Sequence, residues 1–293
     1  MRHINDAEIY EWLEPGQLLT TESIPPKYAT MLEGASADYI PKAADASLKC
    51  LGVDHIDLYQ LHKPFPETPI AETLGALDDL VKAGKVREIG CSNCSLAQMR
   101  EAEEAVGEGA ARFICVQNHY SLLKRDDEAE VLPECARKGI GFLPWFPLES
   151  GLLTGKYRLG QDHSDGSRWK DGFGGDWAFK DGEEKLQRIE ALIEYSESRG
   201  HTMLELAFSW LVARDEVSSV IAGAMNPEQF RTNAAAVSWE LTEKELAEVD
   251  RILVGETDRE RMSWPPRKCE LSFGTTSQDD NISTARPQHE GMT

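Results

Sequence analysis

Long apolar runs are missing from this sequence. No stretch approaches the roughly 20 residues that a membrane span requires, and the opening MRHINDAEIYEWLEPGQ lacks the apolar core of a secretory signal. A soluble, cytoplasmic protein that makes no use of a membrane is expected. Cysteine is sparse, with Cys50, Cys91, Cys94, Cys115, Cys135 and Cys269 as the six in 293 residues. Most lie inside apolar runs, which favours reduced thiols over a disulfide framework. Positive charge is also short: 31 Lys and Arg face 51 Asp and Glu, a net charge of −20. That balance excludes nucleic acid as an expected partner, because phosphates demand clustered cations. It leaves room for an anionic cofactor, whose binding depends on a local site rather than on net charge. No internal repeat, low-complexity block or metal site is read in the sequence.

What is present is a regular alternation of helical and strand-like segments. Helical periodicity runs over 37–50 and stops before Gly52, and 55–62 (HIDLYQLH) is a short apolar run bounded by Pro64 and Pro66, hence a strand. A helix over 70–83 closed by Gly84, a strand over 86–91, a helix over 95–106 before Gly107 and a strand over 113–116 follow. Next come a helix over 128–138 stopped by Gly139 and a strand over 140–145. A Gly- and Asp-rich stretch over 157–182, carrying Trp169, Phe173, Trp177 and Phe179, interrupts the rhythm and is expected to line a substrate pocket. Helices over 183–199 and 202–213, a strand over 217–221, and helices over 227–237 and 243–254 complete the pattern. Five strand–helix units with near-continuous apolar strands imply a parallel sheet buried on both faces. Residues 1–36 offer only fragments, and 256–293 turn polar and irregular, so the domain is expected over 37–255, with a disordered tail behind it.

Ligands of parallel α/β folds sit at the C-terminal strand ends. The residues there are His62, then Ser92 and Asn93, then Gln117 and Asn118, then Trp145. Four successive strands thus end in groups that hydrogen-bond or stack on a flat polar ligand. Blander readings remain for each: a core histidine, a strand-end turn, a core tryptophan. Cys91 and Cys94 also form a C-x-x-C pair, which would suit redox chemistry.

The segments SLKCLGVDHIDLYQLHKP, PIAETLGALDDLVKAGKVREIGCSNCS, VQNHYSLLKRDDEAEVLPECARKGIGFLPWFPLESGLLTGKY and VIAGAMNPEQFRTN occur in an order and spacing that resembles the aldo-keto reductase family over about 36–250. The resemblance implies a (β/α)8 barrel of TIM type, with the first βα unit missing or irregular here. It implies NADP(H) as cofactor and hydride transfer to a small-molecule carbonyl substrate, an aldehyde or ketone. His62 matches the family's substrate-orienting histidine. Ser92, Asn93 and Gln117 match the residues that hold the nicotinamide carboxamide, and an amide side chain offers the donor and acceptor such a group needs. Trp145 falls where an aromatic stacks on the nicotinamide. Leu148, Ser150 and Leu152 match the pyrophosphate loop, and Gly223, Ala224, Gln229 and Asn233 match the segment that grips the adenosine end. That last segment lacks the Lys or Arg found in many members, and Thr232 stands where Glu is usual.

The acid–base residues fall in the front end. NDAEIY resembles the family's Asp-Thr-Ala-x-x-Tyr segment and nominates Tyr10 as proton donor, with Asp6 beside it. Aligning on Tyr10 puts Asn5, not Asp6, at the family's Asp position. SIPPKY nominates Lys27 as the cation that activates the phenol; the Tyr10-to-Lys27 spacing leaves no room for the family's intervening helix. Two functions stay open: an NADPH-dependent carbonyl reductase, and a catalytically impaired NADP-binding regulatory or interaction protein on the same fold. The oligomeric state is not specified by any pattern in the sequence.

Overall fold

In the computed structural model, residues 34–160 and 182–254 are described. Asp6, Tyr10, Lys27, the aromatic stretch over 169–179 and the tail over 256–293 lie outside those residues. Within them, helix α1 (Ile40–Leu51) leads into β1 (Ile56–Leu61), α2 (Ile70–Lys82), β2 (Val86–Ser92), α3 (Leu96–Ala105), β3 (Phe113–Gln117), α4 (Val131–Lys138) and β4 (Gly141–Phe142). Helices α5 (Gly182–Glu197), α6 (Met203–Val212), α7 (Pro227–Ala235) and α8 (Glu243–Val254) follow.

Local chemistry sets most of these boundaries. Ser95 and Gln98 form a reciprocal capping box at the start of α3, and Thr202 and Glu205 do the same for α6. The helix α4 ends at Gly139, whose φ of 65° places it in the left-handed region that a side chain would resist. Gly107 plays no such part. α3 ends instead where Val106 turns extended, at φ −68° and ψ 122°. The helix expected over 128–138 begins later, at Val131, behind a short 3-10 turn over Asp126–Glu128.

The four strands are parallel and ordered β1-β2-β3-β4. A fifth segment continues the arc, with bridges from Phe142 to Val217 and from Trp145 to Ile221. The strand expected over 140–145 is cut to two residues, and the cause is Pro144. It has no N–H to give the ladder, so only its carbonyl takes part, accepting from Ile221 N at 2.9 Å. Leu143 N and Trp145 N still bond to Val116 O and Asn118 O at 2.9 and 3.0 Å. Among the described residues the arc is not closed into a ring, and the front end expected to be irregular lies outside them.

The expectation of strands buried on both faces holds only in part. Ile89 and Val116 are fully buried, whereas Ile114 in the middle of β3 is 40% exposed and β1 is mostly half-buried. A barrel interior is sealed by side chains from all strands together, and the described residues hold five of the strand segments. The well-packed side lies under the helices, where Leu77, Ile89, Leu132, Phe142, Ile189, Leu206 and Trp210 share one core. Each such burial stabilises by roughly 1.5–3 kcal/mol.

Candidate functional site

Ser92, at the end of β2, turns its hydroxyl sideways and donates to Gln117 O at 2.7 Å. Asn93 N donates to the same carbonyl at 3.0 Å. The Asn93 amide nitrogen donates to His62 O at 2.9 Å and to Ser92 Oγ at 3.1 Å. The C-terminal ends of β1, β2 and β3 are thereby stitched into one ledge. Both hydrogens of the Asn93 amide are used in this stitching, so its oxygen is the group that remains for a ligand.

Asn118 serves a different purpose from the one its position suggests. It is 6% exposed. Its amide accepts from Cys94 N at 3.1 Å and donates to Cys94 O and to Asp127 Oδ2, both at 2.9 Å. It is a clamp between strand ends. Burial raises the Asp127 pKa above the usual carboxylate range, with the Asn118 hydrogen bond opposing. The half-buried side-chain amide of Gln117 has no hydrogen-bond partner among the described residues, which leaves a donor and an acceptor on the ledge.

Trp145 ends the next segment of the arc, its N–H donating to Asn118 O at 3.0 Å just past β3. Its indole stacks on the His119 ring, with centroids 4.6 Å apart and planes at 25°. Its Nε1 is buried without a hydrogen-bond partner among the described residues, a costly state unless a ligand or water meets it. The turn that follows is strained. Phe146, Glu149 and Ser150 have φ of 61°, 47° and 56°; with Asn93 at 56° they are the non-glycine residues of positive φ among the described residues. Asn93 and Phe146 lie just past strand ends and Glu149 and Ser150 in the 3-10 turn over Glu149–Thr154, and strain of this kind tends to accompany a binding site. Inside the turn, Glu149 N donates to Phe146 O at 3.1 Å, and Gly151 N and Leu153 N donate to Leu148 O at 2.8 and 3.2 Å. Leu152 is buried to 2%, so only its backbone could serve a ligand there.

Lys156 was not singled out by sequence, yet it supplies a cation to this loop. Its Nζ sits 3.1 Å from where a Cβ on Gly151 would fall. His119 and Glu149 were missed as well, although NHY and LES stand inside quoted motifs. Their Nε2 and Oε1 are 2.7 Å apart.

The distal part of the site is the turn before α7. Met225 N donates to Gln229 Oε1 at 2.7 Å, and Asn233 Nδ2 donates to Gly223 O at 3.2 Å. Gln229 and Asn233 thus shape the turn that contains Gly223 and Ala224. The helix α7 buries none of its residues, so this segment is presented to solvent or to a ligand. Arg231 is the cation on α7.

Cys91 and Cys94 are both buried and free. The hydrogen bond from Cys94 and burial push the Cys91 thiol well above its usual range. A thiol held protonated is a poor nucleophile, which argues against the C-x-x-C redox reading. Burial likewise raises Cys115 to about 11. No group of residues fit to hold a metal ion exists among the described residues, nor is any described helix long and apolar enough to cross a membrane.

Parallel βα units with polar side chains gathered on one rim define an α/β protein of barrel type. The family follows from comparison with known sequences: residues 23–254 match the Aldo/keto reductase family, and the chain belongs to it. L-glyceraldehyde 3-phosphate reductase of Escherichia coli K12 is 33% identical over 74% of this chain and 64% of its own length. NADH-specific methylglyoxal reductase of the same bacterium is 34% identical over 73% of this chain and 64% of its own length. A putative voltage-gated potassium channel subunit beta of Schizosaccharomyces pombe is 33% identical over 75% and 65%. The chain thus spans about two thirds or less of the length of the curated relatives it matches.

Proposed function

We propose that the protein reduces an aldehyde or ketone to an alcohol with a nicotinamide dinucleotide as hydride donor, NADPH being the preferred form. The observation that carries this reading is the ledge of Ser92, Asn93 and Gln117 at the ends of β2 and β3, with Trp145 ending the neighbouring segment and the Gln117 amide without a partner among the described residues. A carboxamide needs one donor and one acceptor, and Gln117 and the Asn93 oxygen offer both. Trp145 gives a flat apolar surface for a ring. The loop at 148–152, with Lys156 over it, suits a pyrophosphate, and the turn at 223–233 suits the adenosine end. Arg231 is the candidate partner for a 2′-phosphate; the segment lacks the Lys or Arg found in many members, and Thr232, where Glu is usual, weakens that contact. When bound, the reduced nicotinamide supplies the hydride.

The chain's own residues have the remaining tasks. His62 orients the carbonyl and polarises its oxygen. Tyr10 delivers the proton that the developing alkoxide requires. A phenol of pKa about 10 is a slow donor unless a cation lowers it, and Lys27 is assigned that role, steadied by Asp6. The assay is oxidation of NADPH and of NADH with a panel of aldehydes and ketones, in wild type and Tyr10→Phe. The reading expects turnover that Tyr10→Phe lowers about 10²–10⁴-fold with cofactor affinity retained. Equal rates in the two proteins would remove Tyr10 from the mechanism.

A second reading is a cofactor-binding subunit without turnover. Asn5 at the family's Asp position and the short spacing from Tyr10 to Lys27 favour it, as does a relative named as a potassium channel subunit beta. Tight cofactor binding without turnover of any carbonyl is its signature.

A further inference from the structure

Glu149 is an unusual residue to find in the loop that the cofactor reading gives to a pyrophosphate. A free carboxylate there would repel a pyrophosphate. The backbone at Glu149 is left-handed, with φ 47°, and its side chain is 6% exposed. A buried carboxylate is costly unless it is paired and hydrogen-bonded. Here it is both: Ser121 Oγ donates to Oε1 at 2.5 Å, and His119 Nε2 meets the same oxygen at 2.7 Å. Ser121 is itself fixed, since its Oγ accepts from Leu123 N and Lys124 N, each at 3.1 Å. The imidazole then lies flat against Trp145 and meets Phe146 edge-on at 5.5 Å. An unbroken line of contacts therefore runs from the loop backbone through Glu149 and His119 to the indole.

We propose that His119 and Glu149 are positioning residues for the cofactor, bracing the Trp145 indole from behind so that its opposite face is held ready for the nicotinamide ring. The inference rests on the cofactor reading above and adds to it the device that orients the stacking surface. Its physical content is a reduced ordering cost. An indole free to rotate must be immobilised when the ligand binds, whereas one already held by a stacked ring is ready. Removing one ring stack is worth roughly 3- to 10-fold in affinity.

The test compares two probes: NADPH, and 2′,5′-ADP, which has the adenosine end but no nicotinamide. Affinities are measured by calorimetry for wild type, His119→Ala, His119→Phe, Glu149→Ala and the double Ala variant. His119→Ala is expected to weaken NADPH roughly 3- to 10-fold and to leave 2′,5′-ADP unchanged, which also shows that the variant is folded. His119→Phe keeps a ring behind the indole and is expected to recover most of the loss. Glu149→Ala should weaken NADPH comparably, and the double variant should lose no more than either single one, because both remove the same brace. Unchanged NADPH affinity in His119→Ala overturns the proposal. So does an equal weakening of both probes, the mark of a structural role alone, or a His119→Phe no better than His119→Ala. Wild type that binds neither NADPH nor NADH takes down the cofactor reading and the brace together; wild type that binds, with variants unchanged, takes down only the brace.

Discussion

Replacing Asn118 with alanine removes the clamp that ties the end of β2 to the end of β3. Three hydrogen bonds vanish, two to the backbone of Cys94 and one to the Asp127 carboxylate. A neutral hydrogen bond contributes about 1 kcal/mol net, and one to a charged group about 1.5–3. Cys94 is only 3% exposed, so its backbone N–H and carbonyl lose a partner where water enters poorly. The destabilisation should be about 3.5–5 kcal/mol, read as a lowered midpoint in urea with the slope m unchanged. Asn118→Asp sharpens the test. Its carboxylate faces the Asp127 carboxylate, whose pKa burial already raises, so one of the two must hold a proton in the folded state. The folded pair then has a raised pKa, and the stability it contributes is present below about 3.8 and lost as pH rises through the folded value. Asn118→Asp should therefore be closest to wild type near pH 4 and furthest from it at pH 7. A loss under about 1 kcal/mol in Asn118→Ala, or a pH-independent gap in Asn118→Asp, would refute the assignment of Asn118 as a buried clamp.

Gly90→Ala should destabilise by about 1–3 kcal/mol in urea unfolding, since its Cβ would lie 2.5 Å from Cys115 Sγ and 3.1 Å from Cys115 O; Cys115→Ala in the same chain should relieve part of this. Acid should weaken the fold through Glu205 and Glu245, whose pKa values are held down chiefly by the backbone N–H groups of Thr202 and Thr242. Their stability is present above about 4.5 and lost as pH falls through the depressed folded values, so Glu205→Gln should flatten the acid limb of a Tm-against-pH curve. Gly139→Ala should cost about 1 kcal/mol in the same assay, since alanine must adopt the left-handed φ of 65° that ends α4.

Much of the architecture was readable because it depends on local chemistry. The capping pairs Ser95–Gln98 and Thr202–Glu205 and the glycine stop after Lys138 are short-range signals, and the helices begin or end within a residue or two of them. β4 was misjudged because its apolar run looked continuous, while strand pairing depends on the N–H that Pro144 lacks. The exposure of Ile114 was invisible for another reason. Whether a strand's inner face is covered depends on strands far away in sequence, and the apolar pattern of β3 cannot report them. On the site, positions at strand ends nominated Ser92, Asn93, Gln117 and Trp145, of which the first three are joined by hydrogen bonds at the ends of β2 and β3. Asn118 shared the same position but faces inward, because its side chain satisfies the Cys94 backbone. His119 and Glu149 were missed since 30 residues separate them and only the left-handed turn at Phe146 and Glu149 brings them together. Lys156 was missed likewise, its amine reaching the loop by folding back over Gly151.

The most direct test of the account is a titration of the wild-type protein with NADPH and with NADH, following tryptophan fluorescence and melting temperature together, with Trp145→Ala as control. The account predicts quenching that saturates with NADPH and is largely lost in Trp145→Ala. It also predicts a melting temperature that rises with cofactor concentration, since a ligand that binds only the folded state must stabilise it by about 2.7 kcal/mol at a hundredfold excess over Kd. Saturating concentrations of both cofactors that change neither fluorescence nor melting temperature would contradict it.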